Sequence, residues 1–83
     1  MAGQELRQIL YRCALQNAVK HGGVPQSGAV IGMVMGAHHE LRTRAKEVAA
    51  LVREVIADVA ALSPEARLAT LEEIAPEMVA ALS

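Results

Sequence analysis

Eighty-three residues and 8.8 kDa leave room for one small domain, which excludes a self-contained synthetase, kinase or dehydrogenase. Hydrophobic residues make up 53 % of the chain, yet Tyr11 is its only aromatic residue, so the core has to be built from closely packed aliphatic side chains. The net charge of −1 hides a gradient: seven Lys/Arg stand against three Glu over residues 1–53, and one Arg against six acids over residues 54–83. A basic front of this kind can turn a domain toward an anionic partner such as RNA.

Sixteen alanines and 22 Leu, Ile and Val residues, with only three prolines and six glycines, suit helices rather than a loop-rich scaffold or a disordered chain. The single cysteine, Cys13, has no partner for an internal disulfide, and a reducing, cytoplasmic setting is expected. No export leader and no membrane span are expected, because the N-terminus lacks a charged-then-apolar run and the uncharged stretch 22–37 is interrupted by Pro25, Gln26 and Ser27.

The first predicted helix runs from Gln4 to His21. Its apolar face is Leu6, Ile9, Leu10, Cys13, Ala14 and Ala18, and Gly22-Gly23 stops it. After a turn at Val24-Pro25-Gln26, Ser27 is the expected N-cap of a short helix ending near Ala37. Gly28, Gly32 and Gly36 fall four apart on one face of that helix. Each costs roughly 1 kcal/mol relative to alanine, so something is expected to approach the face closely. Three readings stand: packing against the first or third helix, approach of a nucleic-acid backbone, or self-association.

A long third helix is predicted over Glu40 to Leu62, with the apolar seam Leu41, Ala45, Val48, Val52, Val55, Val59 and Leu62. Arg42, Lys46 and Arg53 form a basic stripe about 120° away, and Glu40, Glu47, Glu54 and Asp58 an acidic one beyond it. Ser63-Pro64-Glu65 restarts a helix through Ile74, and Pro76 breaks it before a last turn or two carrying Met78, Val79 and Leu82. The expected fold is all-α, with four to five helices around one long central helix in a single domain over residues 1–83, of which 76–83 could begin a linker.

No catalytic residues are expected. No Ser/His/Asp set, apolar carboxylate pair or phosphate-binding loop occurs, and Gly32 to Gly36 lacks the lysine such a loop needs. No metal site is expected either, because Cys13, His21, His38 and His39 lie on different elements without ligand spacing. The candidate nucleic-acid-binding residues are Lys20 and His21 at the end of the first helix, with Arg42, Lys46 and Arg53. Without exposed aromatics, they would read phosphates and duplex shape rather than stack on bases. A solvated helix face is the competing reading of the stripe.

Four blocks stand in one order: YRCALQNAVKHGG (11–23), GAVIGMVMG (28–36), ELRTRAKEVAALVREVI (40–56) and LSPEARLATLEEIAPEM (62–78). Over residues 5–80 they resemble the N-terminal appended region of archaeal-type glutamyl-tRNA synthetases. The resemblance implies a non-catalytic domain preceding an ATP-dependent glutamate–tRNA ligase and helping to position tRNA or assemble the synthetase. ATP and Mg would belong to the parent's catalytic domain, with no cofactor in this segment. The short helix is also similar to the helical tail of the B subunit of tRNA-dependent amidotransferases and to the appended domain of some glutaminyl-tRNA synthetases. There a Gly-Ala-rich helix approaches the tRNA outer corner, which here implicates Lys20, His21, Gly28, Ala29, Gly32 and Gly36. The chain departs from the family pattern at Met33, where lysine is common, and at His38-His39, where Asn-Pro is common. The alternative function is a protein-docking module, using the valine seam or the glycine face without RNA contact. Residue spacing leaves the oligomeric state open.

Overall fold

The computed structural model describes residues 3–82, and the side chains of 5–82. These form α1 (Gly3–His21), α2 (Ser27–Ala37), a 3-10 segment (His39–Arg44), α3 (Ala45–Ala60), α4 (Pro64–Ile74) and α5 (Pro76–Leu82), with no strand among the described residues. The expected all-α class is therefore found.

α1 is the central element, and α2, α3, α4 and α5 all pack against it. It buries Leu6, Leu10, Ala14, Leu15 and Ala18. Of these, Leu15 lies outside the expected stripe, while Ile9 and Cys13, inside that stripe, are only half-buried. A helix covered on several sides buries a wider arc than a single stripe, and Leu15, about 100° on from Ala14, falls within it. Val48, Val52, Val55 and Val59 of α3 are fully buried, as are Val30, Val34 and Leu71. Each contributes roughly 1.5–3 kcal/mol by leaving water.

The stops fall where the backbone chemistry requires. Gly22 adopts φ +72°, a left-handed conformation that any side chain would strain. Ser63 accepts the Ala66 N–H at 3.1 Å and Pro64 opens α4. Pro76 has no N–H to continue the ladder, and α4 ends at Ala75 with φ −151°.

Two boundaries differ from expectation. Gln26, not Ser27, is the N-cap of α2, with extended backbone and no side-chain cap. The long helix predicted from Glu40 begins instead as a 3-10 turn, and α-helix starts only after Arg44, whose φ −116° and ψ 28° break the register. The tighter turn follows the bend at His38 and still delivers Leu41 to the core, at 1 % exposure, while Ala45 leaves the seam and faces outward. Leu62 lies beyond the helix and is partly buried.

Candidate nucleic-acid interface

α2 contains no charged residue and no polar one after Ser27, so its sequence does not say which side turns inward. The structure buries Val30 and Val34. Gly32 lies two residues from each, about 160° around the helix, and Gly28 and Gly36 continue that outward row. All three glycines are exposed, and a Cβ built on any of them would meet nothing within 4 Å. The internal-packing reading is thus corrected: neither α1 nor α3 approaches this face.

The candidate cations gather in two patches. Lys20 and His21, at the C-terminal end of α1, line a groove of about 320 Å³ with Gln16, Asn17, Ala29 and Met33. Asn17 Nδ2 donates to Met33 Sδ at 3.5 Å, tying α1 to α2 there. Arg42 and Lys46 line a second depression, at the junction of the 3-10 segment and α3, together with Thr43, Arg44, Ala45 and Glu47. Arg44 is neutralised within it, donating from Nε to Glu47 Oε2 at 2.8 Å and from Nη2 to Oε1 at 2.6 Å. These hydrogen bonds hold the Glu47 carboxyl below the usual carboxylate range and raise the Arg44 guanidinium.

Arg53 joins neither patch. It shares a face of α3 with Lys46, seven residues away, but Arg42 sits on the 3-10 turn, so the three are not one continuous helical stripe. Among the described residues Lys20, Arg42, Lys46 and Arg53 make no ion pair. Arg7, in contrast, is held by Asp58 at 2.5 Å and by Glu54 at 3.8 Å, fastening α1 to α3. Glu40 is lowered by its own backbone N–H and by the His38 ring at 3.4 Å. No three His, Cys, Asp or Glu among the described residues converge as metal ligands, and burial raises the Cys13 thiol. Among the described residues no helix is long and apolar enough to cross a membrane.

Fold and surface together define a small all-helical domain with an outward, uncharged helix face and two cationic patches. Neither a protein-family model nor a solved structure matches the chain. It is 67 % identical to the glutamate–tRNA ligase of Methanoregula boonei, over 99 % of this chain and 13 % of that protein. The ligases of Methanocorpusculum labreanum (51 % identity, 92 % of this chain) and Nitrosopumilus maritimus (38 %, 93 %) are matched over 14 % of their own lengths. Over nearly its whole length the chain is homologous to one domain-sized segment of archaeal-type glutamate–tRNA ligases, and it spans only 13–14 % of the length of these relatives.

Proposed function

We propose that this chain is a non-catalytic domain of an ATP-dependent glutamate–tRNA ligase and that it helps to position tRNA along α2. The observation that carries this reading is the outward face of α2 and what flanks it. Lys20 and His21 share a groove with its first turns, and the segment bearing Arg42 begins one residue beyond the bend at its other end. With no Cβ at Gly28, Gly32 or Gly36, a sugar–phosphate backbone can come close to the helix, and unpaired cations at both ends hold its phosphates. Duplex shape, not base stacking, is what such a surface reads. Catalysis, ATP and Mg are assigned to the remainder of the ligase.

Changing Arg42, Lys46 and Arg53 together to Glu should weaken tRNA affinity of the full ligase. It should also flatten the log–log salt slope by about two to three units, as fewer counterions are released. Glutamate activation by ATP should stay near normal, because that step needs only the nucleotide-binding part. Gly32→Leu separates approach from folding: the thermal midpoint is expected to hold while tRNA affinity falls. Affinity and slope that both survive the triple reversal would move the function to protein docking.

A further inference from the structure

The only aromatic side chain sits in a gap in the bundle. On α1, Tyr11 is four residues before Leu15 and seven before Ala18, within about 40° of both and so inside the arc that the rest of the helix buries. It is nevertheless only partly buried, because α3 and α4 leave a bay above it. On one side the bay is a groove of about 510 Å³ walled by Ala61 and Leu62, and on the other a cleft of about 360 Å³ walled by Arg12 and Ile74. Gln8 and Tyr11 line both. Ile74 is 44 % exposed, a large apolar side chain with its inner edge on the bay. On the rim, Arg7 is already paired with Asp58, so covering the groove strands no charge there.

We propose that this bay is a docking seat for the remainder of the ligase chain, filled by an apolar side chain. One observation names the occupant. The matched relatives carry this segment as only 13–14 % of their length, so a body about six times larger is tethered to it. Tethering gives an effective concentration of about a millimolar, enough to fill even a weak seat. The inference rests on the proposed place of this chain in a glutamate–tRNA ligase and is independent of the RNA contact on α2.

Tyr11 reports on its own seat. Trypsin releases it in the peptide 8–12, so nitration by tetranitromethane can be followed there by mass spectrometry, in a Cys13→Ala background that removes the competing thiol. In the intact ligase carrying this segment, nitration should be about tenfold slower than in the 83-residue chain, as expected for a seat about 90 % occupied. Ile74→Glu should restore the rate of the free chain, whereas Leu68→Glu, equally exposed but on the other flank of α4, should not; tRNA affinity should survive both. Equal rates in ligase and free chain would overturn the proposal. So would protection that persists in Ile74→Glu or is lost equally in Leu68→Glu. Shielding in the free chain that grows with its own concentration, or on adding tRNA, would assign the bay to a second copy or to RNA and overturn it as well.

Discussion

Arg67 is the one charged side chain that the described fold takes out of water, at 9 % exposure. Its Nε donates to the Val59 carbonyl at 3.0 Å, in the last turn of α3. That turn has no basic residue of its own and carries Asp58, so the guanidinium supplies from α4 the positive charge that a helix C-terminus favours. Arg67→Met keeps most of the volume but loses this bond. The Val59 oxygen still accepts the Leu62 N–H at 3.1 Å, so the cost should be about 1–2 kcal/mol in urea denaturation rather than that of an orphaned carbonyl. The glycines divide at this scale too. Gly22→Ala should lose about 1–2 kcal/mol to its left-handed backbone, whereas Gly32→Ala, outward and unstrained, should gain about 0.5–1 kcal/mol. Opposite signs in thermal melts would return the α2 row to an internal packing role.

At the level of elements, the break between α2 and α3 is held partly by charge. Arg44 and Glu47 clamp the point where the 3-10 turn becomes α-helix, and Glu47 also sits favourably in the first turn of α3. Its carboxyl pKa is depressed on folding, so this support is complete above the ordinary carboxylate range and is lost as pH falls through the lowered value. An NMR titration should show Glu47 ionising below the usual range, and Arg44→Gln should move it back up. The elements themselves were largely legible: Gly22-Gly23, Ser63-Pro64 and Pro76 act through covalent and capping chemistry that local sequence carries. The 3-10 start of the third helix was not, since Glu40 to Ala45 reads as good helix and the geometry is imposed by the bend at His38 and the need to bury Leu41. Nor was the outward turn of α2, which is apolar all round and gives no amphipathic signal. Lys20 and His21 were named from sequence, but that Met33 and Asn17 complete their groove depends on how α1 meets α2. Arg67 was missed because an arginine in an exposed-looking helix carries no sign of burial.

The whole molecule measures 34 × 23 × 20 Å, larger than the screening length of about 10 Å at 0.1 M salt, so its charged regions act on partners separately despite a net charge of −1. At neutral pH and low salt the chain should be retained by a phosphocellulose matrix, and the Arg42→Glu/Lys46→Glu variant should elute markedly earlier. Ready elution of the unaltered chain would remove the basic patches as an anion-facing surface. Within this body α2 is less well secured than α1 and α3. Three glycines weaken it by about 3 kcal/mol relative to alanine, its N-terminus has no side-chain cap, and it is bounded by Gly22-Gly23 and the bend at His38. Amide hydrogens of 30–37 should therefore exchange with solvent faster than those of α1 and α3, by opening of α2 alone while the rest stays folded. A partner that needs the closed helix binds only that fraction of molecules and, by binding, raises it; deuterium uptake in α2 then serves as a direct gauge of engagement, and replacing the glycines with alanine trades close approach for a helix that is already formed.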